Sequence, residues 1–247
     1  MHAIYAWCRT ADDLVDTNEP GEERRRRLQH WAEQLERPTH PIALAFADVR
    51  ARYGIDAQPA HDMIAGLERD IAFKPFADWS SLRDYCYAVA GTVGVMVAPV
   101  LGGRSDPETI VRAADMGIAM QLTNILRDVA EDATLGRLYL PVAELTAFKC
   151  DADRILAMEP DPNLPALIRF QVTRTRGIYA RSREGLPALS RVGRATAGTA
   201  SAFYELILDG IEANGCDVLA GRVHVPLPTK LRRVPGVLVQ SVRWRFG

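Results

Sequence analysis

Apolar residues recur at intervals of three and four along almost the whole chain, which is the spacing of one face of an α-helix. Strand signals are nearly absent, because no run alternates β-branched with polar residues and no Asn-Gly or Asp-Gly hairpin is indicated. The pattern predicts an all-α fold with helices over residues 3–15, 21–36, 41–53, 58–71, 80–100, 107–133, 151–158, 163–185 and 194–219. No linker or shift in composition divides the chain, so residues 1–247 are interpreted as one domain.

The charge and the cysteines exclude several classes of function. A formal net charge of -1 over 247 residues lacks the basic excess of a general nucleic-acid binder, so we expect no nucleic-acid partner. The four cysteines lie far apart and form no CxxC pair, which excludes zinc ribbons and thioredoxin chemistry. Cys8, Cys86, Cys150 and Cys216 are therefore expected to be reduced thiols of a cytoplasmic protein.

Residues 85–103 form an uncharged segment that is roughly as long as a membrane-spanning helix. The segment contains four glycines and Pro99, with little leucine or isoleucine. This composition favours a buried helix of a soluble protein over a membrane span.

Asp12 and Asp16 form the first of two acidic groups. They are four residues apart, so a helix places both carboxylates on one face, about one turn apart. Like charges at this spacing destabilise a helix by a few tenths of a kcal/mol, and a divalent cation between them removes the repulsion. Mg²⁺ takes hard oxygen ligands, often one or two carboxylates with substrate phosphates. The pair is either a magnesium site or a solvated face, because the spacing is common.

A second acidic group lies within residues 121–132. At about 100° per residue, five oxygen-bearing side chains fall within an arc of about 100° on a helix. They are Gln121, Asn124, Asp128, Glu131 and Asp132. A solvated face usually carries lysine or arginine four residues from its acids, and this stripe holds no cation. The stripe therefore favours metal binding over an ordinary solvated face.

Two arginines stand beside these acids. Arg9 precedes Asp12 by three residues, and Arg127 directly precedes Asp128. Guanidinium groups bind phosphate oxygens bidentately. If the two acidic helices face each other across a bundle, they form a cage for several Mg²⁺ ions and a diphosphate. Such a site stabilises a departing diphosphate.

Five stretches resemble the phytoene/squalene synthase family of head-to-head prenyl transferases, most of all its bacterial phytoene-forming members. Three of them are YAWCRTADDLVD (residues 5–16), GLERDIAF (66–73) and YCYAVAGTVG (85–94). The others are QLTNILRDVAEDATLGRLYLP (121–141) and YELILDGIEANGCDVLAGRVHVPLPTKL (204–231). The stretches follow the family's order and span nearly the whole chain.

The resemblance implies an isoprenoid-synthase helical bundle with a central apolar cavity. It also implies Mg²⁺-dependent condensation of two identical allylic diphosphates through a cyclopropylcarbinyl diphosphate intermediate. The implied Mg²⁺ ligands are Asp12, Asp16, Asn124, Asp128 and Asp132, supported by Gln121 and Glu131. The implied diphosphate-binding residues are Arg9, Arg127 and Arg137. The implied tyrosines near the diphosphates and the cationic centre are Tyr5, Tyr139 and Tyr204.

The apolar walls and the ends of the chain carry further expectations. Val93, Gly94 and Val97 suit a cavity for two polyprenyl tails, although a tightly packed core helix needs the same residues. Family members usually carry another helix before YAWCR, and that helix is expected to be missing here. Residues 230–247 form a basic, aromatic-bearing tail, which indicates either an interfacial anchor on the inner face of a membrane or a frayed end.

Three functions remain open at this stage. The favoured one joins two geranylgeranyl diphosphates into phytoene without a reductant. The second uses farnesyl diphosphate to form dehydrosqualene or, with NADPH, squalene. The third is a non-catalytic bundle that acts as an assembly module, which the intact acidic groups disfavour.

Overall fold

The structure, a computed structural model, describes residues 1–104 and 106–243, with side chains as far as residue 239. Over these ranges the chain forms helices and no β-strand, which confirms the predicted all-α fold. The helices are α1 (His2–Val15), α2 (Gly21–Glu33), α3 (Pro41–Tyr53), α4 (Gln58–Ile71), α5 (Trp79–Cys86), α6 (Thr92–Val97), α7 (Pro107–Arg127), α8 (Val129–Thr134), α9 (Val142–Phe148), α10 (Ala152–Leu156), α11 (Leu164–Arg183), α12 (Arg191–Ala213) and α13 (Leu227–Arg243). A π-helix (Tyr87–Gly91) joins α5 to α6, and a short 3-10 helix (Leu186–Ala188) precedes α12.

Helix α7 lies at the centre of the bundle. It packs against the π-helix, α6, α11 and α12. Its buried face carries Ile118, Leu122, Ile125 and Leu126 at helical spacing. Because this face is buried in the core, the polar stripe beside it is left to line a cavity that α7 shares with α1.

Helix α1 is held in place by an aromatic cluster. The Trp7 ring stacks on the Phe46 ring with centroids 4.9 Å apart. The indole N–H of Trp31 donates to the backbone carbonyl of Trp7 at 3.3 Å. Burial of a large aromatic side chain contributes about 2–3 kcal/mol, so this face of α1 is firmly anchored. The opposite face, which carries Asp12 and Asp16, is thereby oriented as well.

Helix α7 crosses both α6 and the π-helix closely, because glycines lie at the two contacts. A Cβ added at Gly94 would lie 2.1 Å from the carbonyl oxygen of Ala113, and one at Gly117 would lie 2.1 Å from that of Ala90. Backbone atoms cannot yield locally as a flexible side chain can, so neither position accepts a larger residue without a shift of the whole helix.

We expect Gly94→Ala to lower the free energy of unfolding by about 1–3 kcal/mol, because the added methyl group forces the two backbones apart. Gly177→Ala on α11 is the matched control, since a Cβ there meets no atom within 4 Å. The control should gain up to about 1 kcal/mol from its higher helix propensity. Urea unfolding measures both variants, and equal stabilities would contradict the close crossing.

The predicted helix boundaries differ from the structure at several points. The predicted helix 80–100 contains the π-helix, and the predicted helix 107–133 is interrupted at Asp128, whose φ of -103° and ψ of 13° are not helical. Helix α9 was not predicted, because it is short and buries only Leu145. Helix α12 ends at Ala213 rather than at residue 219.

The segment 85–103 is part of the bundle, and its helices pack against α4 and α7. Among the described residues, no helix is both long and apolar enough to cross a membrane. The predicted tail begins within α13, which packs along α12. Its two aromatic residues, Trp244 and Phe246, lie outside the described residues.

Candidate active site

The two acidic groups line a single polar cavity of about 550 Å³. Asp12 reaches it from α1 and Asp16 from the residue that follows α1. Asn124 reaches it from α7, Asp132 from α8, and Asp128 from the junction between these two helices. We call this the polar cavity. The structure therefore brings together the residues that the sequence analysis assigned to metal binding, although they lie more than a hundred positions apart.

The polar side chains of α7 and α8 stay on one face although the helix is interrupted at Asp128. The Asp128 amide donates to the Asn124 carbonyl at 2.9 Å, and the Asp132 amide donates to the Asp128 carbonyl at 2.8 Å. These bonds continue the four-residue helical spacing across the junction. As a result, Asn124, Asp128 and Asp132 still share one face, even though Asp128 belongs to neither helix.

The polar cavity concentrates negative charge. Burial, together with the nearby Asp16 carboxylate, raises the pKa of Asp12 to about 6, against the opposing effect of Arg9. Burial and the nearby Asp128 carboxylate raise the pKa of Asp132 to about 7. Crowded, half-buried carboxylates of this kind are stabilised by a bound cation.

Arginines surround the carboxylates. Arg127 Nε and Nη2 donate to the two carboxylate oxygens of Asp128 at 2.7 and 2.5 Å. Arg9 pairs with Asp12 at 2.9 Å. Arg222, which the sequence analysis did not identify, pairs with Asp128 at 3.0 Å. The polar cavity thus offers guanidinium groups to an anion as well as carboxylates to a cation.

Of the other predicted polar site residues, most line the polar cavity. Gln121, Glu131 and Arg137 line the polar cavity, and Glu131 accepts a hydrogen bond from Arg222 at 3.3 Å. Tyr139 also lines it, with its hydroxyl bonded to Asp70. Tyr5 does not line the polar cavity, because it lies one turn before Arg9 on the same face of α1, where it is 68% exposed.

An apolar cavity of about 330 Å³ adjoins the polar cavity. Gln121 and Asn124 line both cavities, so these amides mark the junction. Tyr204 lines the apolar cavity and interacts electrostatically with Arg127, which lines the polar one. The predicted wall residues Val93, Gly94 and Val97 all line the apolar cavity.

The apolar cavity is long. It follows α7 from Asn124 at the junction to Thr109 at the far end, with Ala113 on the same wall. At a rise of about 1.5 Å per helical residue, the fifteen positions from Asn124 to Thr109 span about 22 Å. Leu101 and Leu189 also line this cavity.

The donor set of the polar cavity fits Mg²⁺. Hard oxygen donors surround the space, and the buried Oδ1 atom of Asn124 has no hydrogen-bond partner. Within the described residues, no three acidic, histidine or cysteine side chains are close enough to hold a metal without other ligands. Mg²⁺ needs only one or two carboxylates when phosphate oxygens and waters complete its shell. The metal site therefore stays a prediction that a bound diphosphate would complete.

The fold and the two cavities define a class of protein: a helical-bundle enzyme that binds a phosphorylated ligand with a long apolar tail. The family described as squalene/phytoene synthase matches residues 1–229. A phytoene synthase from Arthrospira platensis is 39% identical over 94% of this chain and 81% of its own length. A 15-cis-phytoene synthase from Synechococcus elongatus is 37% identical over 97% of this chain and 83% of its own length.

Solved structures agree with these relatives. A dehydrosqualene synthase in complex with ligand superposes with a TM-score of 0.86 at 30% identity, covering 98% of this chain and 86% of that one. The squalene synthase HpnC from Alicyclobacillus acidocaldarius gives 0.80 at 28% identity, covering 87% of this chain and 82% of that one. The chain belongs to the squalene/phytoene synthase family of prenyltransferases, and its predicted isoprenoid-synthase fold is confirmed.

Sequence reasoning missed several residues of the polar cavity, among them Asp70, Tyr85 and Arg222. Each lies in a stretch that carries the family resemblance, but none belongs to an acidic group or a periodic polar stripe. Their shared position became visible only when α4, α5 and the chain after α12 came together.

Proposed function

We propose that this protein condenses two molecules of geranylgeranyl diphosphate head to head into phytoene. The reaction passes through a cyclopropylcarbinyl diphosphate intermediate and releases diphosphate. Two C20 diphosphates give one C40 hydrocarbon, two diphosphate ions and two protons, so no reductant is consumed. The observation that carries the proposal is the junction between a charged cavity and a long apolar one.

The length of the apolar cavity favours the C20 substrate. An extended geranylgeranyl tail spans roughly 20 Å and an extended farnesyl tail roughly 15 Å, at about 1.25 Å per bond along a zigzag chain. The cavity offers about 22 Å along α7, so the longer tail fills it and the shorter tail leaves its far end empty. An unfilled apolar end loses the burial energy that the extra isoprene unit would supply.

The polar cavity would bind the diphosphates. Arg9, Arg127 and Arg137 would contact their oxygens, and Arg222 lies close enough to Asp128 to act with them. Mg²⁺ would be held by Asp12, Asp16, Asn124, Asp128 and Asp132, with Gln121 and Glu131 in support. When bound, Mg²⁺ supplies neutralisation of the charge that develops on the leaving diphosphate.

The apolar cavity would protect the cations that form when diphosphate leaves. Its walls would exclude water, so a cation reacts with the neighbouring double bond rather than with a water molecule. Tyr204 lines the apolar cavity and interacts electrostatically with Arg127 of the polar cavity, so its ring face and hydroxyl can stabilise positive charge there. Tyr5 stays a predicted contributor, and at its exposed position it could act only on a ligand that extends beyond the polar cavity.

Product analysis tests this function. The purified protein is incubated with Mg²⁺ and with either geranylgeranyl or farnesyl diphosphate, with a chelator-treated sample as the control. We expect a C40 hydrocarbon from the longer substrate and none after chelation. A C30 hydrocarbon from farnesyl diphosphate as the preferred product would assign the shorter reaction, with NADPH required if that product is squalene. No hydrocarbon from either substrate would support the assembly-module alternative.

We further propose peripheral contact with the inner face of a membrane through α13. Leu227, Leu231 and Leu238 fall on one face of this helix, and they are 67%, 58% and 47% exposed. The exposed Arg232 adds positive charge beside them. An apolar stripe with basic neighbours suits an anionic lipid surface. A C40 hydrocarbon is insoluble in water, so release into a bilayer follows from its chemistry.

Leu231→Glu is expected to reduce binding to vesicles that contain anionic lipid by about tenfold, because it places a charge in the apolar stripe. Co-sedimentation with the vesicles measures this binding. Val111→Glu, at an exposed position of α7, is the matched control and should bind as the wild type does. Removal of residues 230–247 should also reduce binding, and an unchanged membrane fraction in both variants would contradict the proposal.

A further inference from the structure

Asp70 is a buried carboxylate that no part of the proposed metal or diphosphate binding uses. It lies at the end of α4 with 8% of its surface exposed, and it lines the polar cavity. The Tyr85 hydroxyl donates to its two carboxylate oxygens, at 3.0 and 2.8 Å. The Tyr139 hydroxyl donates to Oδ1 at 3.0 Å. One carboxylate therefore accepts hydrogen bonds from two tyrosines that line the same cavity.

The backbone of Asp70 makes a separate contact. Its carbonyl oxygen accepts a hydrogen bond from Arg137 Nη2 at 3.2 Å. Arg137 also interacts electrostatically with the Tyr139 side chain. Both residues lie in a non-helical stretch between α8 and α9, which begins after a turn at Gly136 with a φ of 69°. Asp70 thus fixes side chains whose own backbone has no helix to orient them.

The two tyrosine rings are held by tilted and edge-on aromatic contacts as well. Their centroids are 5.5 Å apart, and Phe76 and Phe73 pack on Tyr85 and Tyr139 at 5.1 and 5.0 Å. Burial and the Asp70 charge raise the pKa of both tyrosines, so both keep their protons. Because each hydroxyl has one proton and donates it to Asp70, it can only accept from the cavity side.

We propose that Asp70 is a positioning residue that turns the Tyr85 and Tyr139 hydroxyl oxygens, rather than their protons, toward the reacting centre. This inference rests on the proposed function, because the oxygens would then face the allylic carbon that becomes cationic as diphosphate leaves from the polar cavity. Oriented dipoles of this kind stabilise developing charge without reorganisation. The same orientation prevents the two tyrosines from donating to diphosphate, so that task is left to the arginines.

Asp70→Asn tests the proposal. The amide NH₂ must donate to one tyrosine hydroxyl, which reverses the direction of that hydrogen bond. The backbone carbonyl that accepts from Arg137 is unchanged. We expect kcat for hydrocarbon formation to fall about 100-fold, a typical cost of a misplaced group. KM should change less than threefold, and the fraction of intermediate released should rise. Asp62→Asn, on the same helix but outside both cavities, is the matched control and should match the wild type.

A variant that lacks both tyrosine hydroxyls distinguishes a positioning role of Asp70 from a purely structural role. In the Tyr85→Phe/Tyr139→Phe protein both hydroxyls are gone, so Asp70→Asn should cause no further loss of kcat. Thermal unfolding gives a readout that does not need activity: Asp70→Asn should lower Tm in the wild type and raise it in the double-Phe background, where the carboxylate has lost its donors.

The outcomes are distinguishable. A wild type without any hydrocarbon product overturns the proposed function, and the Tm comparison then still decides whether Asp70 holds the tyrosines. If the wild type is active and Asp70→Asn has the same kcat, the Asp70 proposal is overturned. An equal loss of kcat in both backgrounds also overturns it, because the effect would then not pass through the tyrosines.

Discussion

Asp128→Asn is expected to lower kcat about 1000-fold or more and to leave the fold nearly intact. Asp128 lies at the junction of α7 and α8, where it lines the polar cavity and pairs with Arg127 and Arg222. Its replacement removes a proposed metal ligand and no core packing. A metal that neutralises a leaving group contributes several kcal/mol, and about 4 kcal/mol corresponds to three orders of magnitude in rate.

Steady-state kinetics with Mg²⁺ and circular dichroism together measure this effect. Asp48→Asn is the matched control, because Asp48 is an exposed helical aspartate that also pairs with an arginine, Arg52, at 2.9 Å. The control should retain full activity, since an exposed pair contributes little to stability. Turnover by the Asp128 variant at the wild-type rate would contradict the metal assignment.

Ala113→Phe is expected to change the preferred substrate from geranylgeranyl to farnesyl diphosphate. Ala113 lines the apolar cavity, eleven positions and about 16 Å along α7 from Asn124. A phenyl ring there shortens the cavity to about the length of a farnesyl tail. We expect kcat/KM for the C20 substrate to fall at least about 100-fold, because a single surplus methylene already costs about 1–3 kcal/mol in a filled pocket.

Competition between the two substrates, with the C30 and C40 products separated by chromatography, measures this preference. Val111→Phe is the matched control, because it adds the same ring to an exposed position of α7 two residues away. That variant should keep the wild-type product, and thermal unfolding shows whether either protein has lost its fold. A C40 product from Ala113→Phe at the wild-type rate would mean that the tail does not follow α7.

The helices and the acidic walls could be predicted because both depend on local spacing. Asp12 with Asp16, and Asn124 with Asp128 and Asp132, are four residues apart, and helix geometry alone places each set on one face. The break at Asp128 could not be predicted from periodicity, yet the amide bonds across it preserve the spacing. The π-helix could not be predicted from periodicity either, because one widened turn barely alters the apolar pattern.

The rest of the site depends on tertiary packing. Asp70 is a single aspartate in a helix of mixed composition, and nothing in its local sequence indicates the two tyrosines that it meets. Arg222 follows α12 by nine residues and reaches Asp128 only because the chain folds back across the bundle. Tyr5 shows that helical spacing alone does not place a residue in the site. It shares a helix face with Arg9 but does not line the polar cavity.

The most direct measurement is the binding of Mn²⁺, as a probe of the Mg²⁺ site, to the wild type, Asp16→Asn and Asp132→Asn in the presence of inorganic diphosphate. Electron paramagnetic resonance counts the bound ions. If both walls hold the metal–diphosphate unit jointly, the wild type binds Mn²⁺ tightly only with diphosphate, and each variant weakens that binding at least about tenfold. Wild-type affinity in either variant, or no diphosphate-dependent Mn²⁺ in the wild type, would contradict joint binding by the two walls.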